Sequence, residues 1–348
     1  MESSIVARAP SDHRILSEQV RGEGLMDRRP WNYGIRIVLT VASLGAGWYA
    51  LLLVGDSWAA LGIAPFLAFS STQILFLGHD AGHQQIFATR RRNRVFGLLT
   101  GDLLSGLSFG WWVPKHNAHH AYPNQVGRDP DIVGPSASVP TTASSRSARD
   151  ATWWLKRTGR VALSVPLVFL ELGMHLSSGR ALARRRDRGA AVEWLLIASH
   201  GALYLGAVFW VLSPLRALLF IAVQQGMLGV YLRASFAPNH KGMPMVQQGT
   251  TMTFIERQVT TSRDLHAGWL TTFMLGGLNY QIEHHLFPGM PRPNLARAQP
   301  IVQKFCAEKG LEYRVDSVVS SYRQALQSLR RSEGELEDTP NASRSRHH

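Results

Sequence analysis

Lys115-His116-Asn117-Ala118-His119-His120 places three histidines at relative positions 1, 4 and 5, directly after an apolar segment bearing Trp111-Trp112. On an α-helix, residues three and four along lie about 60° and 40° to either side of the first, so His116, His119 and His120 share one face. Two other stretches repeat the arrangement. His79-Asp80-Ala81-Gly82-His83 spaces histidines four apart, and Gln281-Ile282-Glu283-His284-His285 repeats the 1-4-5 spacing with glutamine in first place. Seven histidines in three clusters exceed one tetrahedral zinc site. A lone histidine is ordinarily a hydrogen-bonded core or surface residue, and His13, His175, His200 and His266 read that way. Repeated ligand spacing reads as metal binding, and His240, preceded by Asn239 at the end of the last apolar run, is a candidate to complete the set.

Working outward, mean hydropathy over the 348 residues is only −0.06, yet the apolar residues gather in runs long enough to cross a bilayer. Four runs, 37–54, 58–77, 194–212 and 215–232, read as membrane spans. Segments 95–109 and 161–176 read as interfacial helices: the first is short and holds three glycines, and the second carries Glu171 and His175 on one face. A charged segment starting at Arg233 and including Pro238-Asn239-His240 follows the fourth span. Arg28, Arg29, Arg36, Arg90, Arg91, Arg92, Arg94, Arg184, Arg185, Arg186 and Arg188 flank one side of these spans, which the positive-inside tendency makes cytoplasmic. Arg216, near the opposite turn, is the contrary charge. The net charge of +13 thus follows from orientation, and no nucleic-acid partner is expected. A single cysteine, Cys306, excludes a disulfide framework, a CxxC zinc module and a fused iron–sulfur domain. Residues 1–30 form a polar cytoplasmic segment without the apolar core of a cleaved signal. Residues 31–332 form the membrane domain, with a Ser/Thr/Pro-rich loop at 135–147, and 333–348 read as a disordered tail. The expected fold is all-α: an integral membrane protein with four transmembrane helices and a cytoplasmic helical cap holding a di-metal site.

Imidazole suits zinc, iron, copper and nickel alike, but about eight nitrogen donors suffice for two metals with open positions, which means substrate or oxygen chemistry. The acidic neighbours Asp80, Glu283, Asp129 and Asp131 could accept the second ring N–H of a ligand and fix its tautomer. For Asp129 a solvated loop charge is an equal reading.

Taken together these stretches resemble the membrane-bound fatty acid desaturases with three histidine boxes. The glutamine opening the third box is similar to the bacterial acyl-CoA and front-end branch, as are Trp111-Trp112, Asp129-Pro130-Asp131, Asn239-His240-Lys241-Gly242 and Gly276-Gly277-Leu278-Asn279-Tyr280. The resemblance covers about residues 30 to 315. It implies two iron ions on the cytoplasmic side, held by His79, His83, His116, His119, His120, His240, His284 and His285, and an acyl chain threaded between helices. Gln281 stands where other branches carry histidine; with Asn239, Asp80 and Glu283 it would touch metal or orient a ligand. Many front-end relatives carry a fused haem domain with a His-Pro-Gly-Gly motif that this sequence lacks. Electrons from NAD(P)H are therefore expected through a separate ferredoxin, flavoprotein reductase or cytochrome.

The implied reaction is O₂-dependent dehydrogenation of a methylene pair in an acyl-CoA or lipid-linked acyl chain, in a bacterial-type cytoplasmic membrane. An unactivated C–H offers neither an acidic proton nor a leaving group, so an oxidant is required. A fatty acyl or lipid hydroxylase is the alternative on the same scaffold. A metal transporter would place ligands within the spans, where Gln73, His200, Gln224 and Gln225 are the notable polar groups. A non-enzymatic scaffold leaves the repeated spacing unexplained.

Overall fold

The computed structural model describes residues 11–131, 170–266 and 268–337. In chain order the helices are α1 (Asp12–Gly22), α2 (Pro30–Val54), α3 (Ala64–Gly82), α4 (Arg90–Leu98), α5 (Phe109–Ala121), α6 (Leu170–Ala183), α7 (Arg188–Val211), α8 (Pro214–His240), α9 (Phe254–Thr261), α10 (Trp269–Met274), α11 (Gln281–Leu286), α12 (Leu295–Glu308) and α13 (Val318–Glu337). Among the described residues the only strands are β1 (Asp264–His266) and β2 (Val315–Ser317), which pair in parallel. The protein is mostly helical, as expected.

Four helical stretches are long and apolar enough to cross a membrane: Pro30–Val54, Trp58–Gly82, Arg188–Val211 and Pro214–His240. Three contain an expected run and extend it, and Arg188–Val211 covers the run 194–212 except for Leu212, its C-cap. Large apolar side chains on them, including Val38, Leu53, Leu195, Leu203 and Trp210, stand exposed, a surface that suits lipid rather than water. The helix of the run 215–232, α8, continues past its expected end through Arg233 to His240. Pro238 lies in its last turn, where the missing N–H leaves the carbonyl of Ala234 unpaired within the helix. Tyr322 of α13 donates its hydroxyl to that carbonyl at 2.8 Å, so the helix continues without an orphaned group.

The two hairpins, α2–α3 and α7–α8, meet at their turns. Gly55 takes φ +63 and the Asp56 carboxylate accepts from Ser213 N at 2.8 Å. It also pairs with Arg216 at 2.7 Å, and the Arg216 guanidinium lies 5.2 Å from the Trp58 ring. The contrary charge of Arg216 is thus neutralised by the neighbouring hairpin. At the opposite end the spans are capped by helices sharing one core, with Leu16 and Val20 of α1, Ile255 and Val259 of α9, Ile282 and Leu286 of α11, and Val302 and Phe305 of α12.

The helix expected over 95–109 begins earlier, within α4, and ends before residue 106, and only Phe109 of that range belongs to α5. After α4 the backbone passes through a π-turn, Leu99–Leu103, and Gly106 at φ +70 closes it. A Cβ there would stand 2.6 Å from the His200 ring, so glycine is required by space as well as by conformation. Ser108 then caps α5. Of the helix expected at 161–176, residues 161–169 lie outside the described residues, as does the 135–147 loop, and α6 covers the rest. Helix α13 runs to Glu337, past residue 333 where disorder was expected; 338–348 lie outside the described residues.

Candidate metal centre

Four chain segments bring their histidines to one end of the spans. The last turn of α3 and its C-cap carry His79 and His83, α5 carries His116, His119 and His120, the last turn of α8 carries Asn239 and His240, and α11 carries Gln281, His284 and His285. All eight histidines are buried. Their ligand atoms form two groups, each within 4.8 Å internally: His79, His83, His116, His120 and His284, and beside it His119, His240 and His285. His13, His175, His200 and His266 join neither group among the described residues.

Hydrogen bonds on the outer ring nitrogens decide which way the lone pairs point. Nδ1 of His79 faces Asp80 Oδ1 at 3.3 Å, that of His119 faces both Asp129 oxygens at 3.0 Å, that of His240 faces the Thr261 carbonyl at 3.0 Å and that of His285 faces Gln258 Oε1 at 3.0 Å. Each partner accepts, so the proton sits on Nδ1 and Nε2 carries a lone pair directed inward. Across the cluster the Nε2 atoms crowd one another: His83–His116 3.0 Å, His116–His120 3.1 Å, His119–His240 3.3 Å and His240–His285 3.1 Å. Nε2 of His79 and of His284 has no hydrogen-bond partner at all. Burial, then the charge of neighbouring imidazoles, pushes His83, His116, His120, His284 and His285 well below the usual imidazole range and keeps them neutral, the ligating form. Two nitrogens bound at right angles about 2.1 Å from one ion stand about 3.0 Å apart, so the spacing fits ligands sharing a cation.

The acids divide by what they touch. Asp129 is fully buried and, besides His119, accepts from Asn124 N at 2.8 Å and Asp131 N at 2.9 Å, so the solvated-loop reading does not hold. Asp131 lies 3.7 Å from His119 Nδ1 and pairs with Lys115. Glu283 meets no imidazole. Its Oε1 accepts from Tyr313 at 2.6 Å, and burial together with the charge of Asp264 pushes it well above the usual carboxylate range. Gln281 Nε2 lies 2.9 Å from His240 Nε2 and its Oε1 accepts from Asn239 at 3.1 Å, while Asn239 Oδ1 is buried without a partner. Replacing Asp129 by asparagine removes the negative charge behind His119 and is expected to weaken metal binding about 10- to 100-fold, read by titrating metal into the metal-free protein.

Some supports of the centre were not foreseen. Gln258, one residue from the partly exposed Arg257, donates to the His120 carbonyl at 3.0 Å while orienting His285. The start of α5 is held by Asp102 on Phe109 N at 3.1 Å, Glu193 on Gly110 N at 3.0 Å and Ser108 on Trp111 N at 3.0 Å. Burial and the Glu193 charge push Asp102 up to about 8. Trp112 then stacks on His116 at 4.5 Å and 18°. Only the Ser108 cap has a local sequence signal; Glu193 arrives from a helix far along the chain.

A family model described as fatty acid desaturase matches residues 56–317, which include every one of these histidines. The chain belongs to that family. Among similar proteins, the Delta(5) fatty acid desaturase fat-4 of Caenorhabditis elegans is 30% identical over 90% of this chain and 72% of its own length. The Acyl-lipid (9-3)-desaturase of Physcomitrium patens is 30% identical over 86% of this chain and 58% of its own, so the chain spans little more than half of that relative. The Delta(8)-fatty-acid desaturase of Euglena gracilis is 30% identical over 89% and 75%. The expectation of an oxidoreductase that desaturates fatty acyl chains in lipid metabolism is met by both the family and its relatives.

Proposed function

We propose that this desaturase is a multi-pass membrane enzyme that removes two hydrogens from adjacent methylenes of a fatty acyl substrate, with O₂ as co-substrate and two irons held by the eight histidines. Two substrate hydrogens, two electrons and two protons balance the reduction of O₂ to two waters. The electrons come from NAD(P)H through a separate redox protein. The single observation carrying the metal assignment is the buried imidazole cluster whose Nε2 atoms approach one another at 3.0–3.3 Å, the spacing of nitrogens that share one cation. Bound there, iron supplies the oxidising power that acid–base side chains lack. The residues of the chain keep the imidazoles neutral, aim them, and exclude water.

The basic residues Arg28, Arg29, Arg90–Arg92 and Arg184–Arg186 stand at the metal-bearing end, which supports a centre facing the cytoplasm. Exposed arginines at that end also suit the phosphates of CoA, so an acyl-CoA is the first substrate to try. The relatives' names carry different position labels, and the reading assigns no double-bond position. The test is a fatty-acid profile, with double bonds located by mass spectrometry, from a host lacking such lipids that expresses the chain with a reductase and its electron carrier. A new unsaturated acid supports the reading. A hydroxylated acid replaces it by the hydroxylase, and folded protein without stoichiometric iron overturns the di-iron assignment.

A further inference from the structure

Arg263 and Asp264, adjacent and opposite in charge, are both fully buried, yet neither touches an imidazole. The last carbonyls of a helix have no partner within it, and α8 ends at the residue that supplies His240. Arg263 takes two of them, together with the carbonyl of the residue that follows the helix. Its Nε donates to Pro238 O at 2.6 Å, its backbone N to Asn239 O at 3.1 Å and its Nη2 to the Lys241 carbonyl. A cation also suits the negative end of a helix dipole. The remaining arm, Nη1, is fixed from outside by Asp316 Oδ2 at 3.0 Å and Gln324 Oε1 at 2.6 Å. Asp264 performs the converse task at the start of α11. Its Oδ1 accepts from Ile282 N at 3.0 Å, and its Oδ2 is held by Gln299 at 2.9 Å and Tyr313 at 2.5 Å.

We infer that Arg263–Asp264 is a positioning clamp that sets the His240-bearing end of α8 against the His284/His285-bearing helix α11, and so builds the His119/His240/His285 metal site. The inference rests on the two-metal reading above. The two halves of the clamp differ in reach. Arg263 holds only the segment of His240, which belongs to the three-histidine group, whereas Asp264 holds α11, which serves both groups through His284 and His285. A residue that merely stabilised the fold would have no such selectivity.

The test is a Co(II) titration of the metal-free full chain in detergent, followed by visible absorption, with Fe(II) stoichiometry measured in parallel. Wild type is expected to take two ions. Arg263→Lys keeps the charge but replaces a three-armed fork by one nitrogen, and should weaken one step about 10- to 100-fold while leaving the other in place. His240→Ala should lose the same step, and Arg263→Lys in that background should not move the step that remains. Asp264→Asn should weaken both. Should Arg263→Lys not fold, Gln324→Ala, which removes one outer acceptor, must weaken the same single step. The clamp is overturned if Arg263→Lys leaves both steps unmoved, shifts both equally, or shifts the remaining step in His240→Ala. Uptake of fewer than two ions by wild type overturns the two-metal reading itself.

Discussion

Replacing His240 by alanine is expected to halve the iron content of the purified desaturase and to abolish its unsaturated product. The three-histidine group falls to two imidazoles, His119 and His285, whereas the five-histidine group keeps every donor. Two nitrogen donors on opposite walls do not retain an ion that normally needs three or four protein ligands, and a reaction requiring both irons stops when one is missing. Metal analysis and the fatty-acid profile must be read on the same preparation. Full iron content in His240→Ala would remove His240 from the ligand set; full activity with one iron would remove the second metal from the chemistry.

Truncating Asp80 to alanine is expected to have the largest effect on stability, a loss of roughly 3–5 kcal/mol, because it strands a buried cation. Arg292 is nearly inaccessible and its Nη2 reaches Asp80 Oδ2 at 2.7 Å, with the Phe76 carbonyl at 2.7 Å as its other acceptor. Tyr33 donates to the same carboxylate at 3.1 Å, so one acid joins the start of α2, the end of α3 and the segment after α11. Combining Asp80→Ala with Arg292→Met should restore part of the loss, since no charge is then left unpaired. Heat unfolding of the metal-free forms in mild detergent separates this effect from iron binding through His79. A loss below about 1 kcal/mol for Asp80→Ala would show that Arg292 finds another partner.

The parts of this molecule that depend on local periodicity could be read from its sequence. Apolar runs mark all four helices long and apolar enough to cross a membrane, and 1-4-5 spacing marks the histidine faces that meet because residues within one helical turn and a half need no distant information. Asp80 and Asp129 could be suspected from their neighbours. What could not be read is set by contacts between segments far apart. Helix α8 passes Arg233 because a tyrosine on α13 satisfies the carbonyl that Pro238 abandons. The 95–109 helix breaks because Ser108, Asp102 and a glutamate on α7 recruit the backbone N–H groups at the start of α5. Glu283 was grouped with the metal by proximity in sequence, but it lies against Tyr313 and Asp264 instead.

The eight imidazoles come from segments about 200 residues apart in the chain, from His79 to His285, and their supports reach further still, to Arg292 and Gln324. Ribosomal synthesis runs from the N-terminus at about 5–20 residues per second. By this order-of-magnitude rate, about ten seconds or more separate the synthesis of His79 and His83 from that of His284, the last member of their group. Four members of the five-histidine group, His79, His83, His116 and His120, exist once residue 120 is made, whereas the three-histidine group has only His119 until His240 arrives. Both groups are complete only when the last quarter of the chain has brought His284 and His285, so on the proposed reading the finished polypeptide is the first form able to hold two ions.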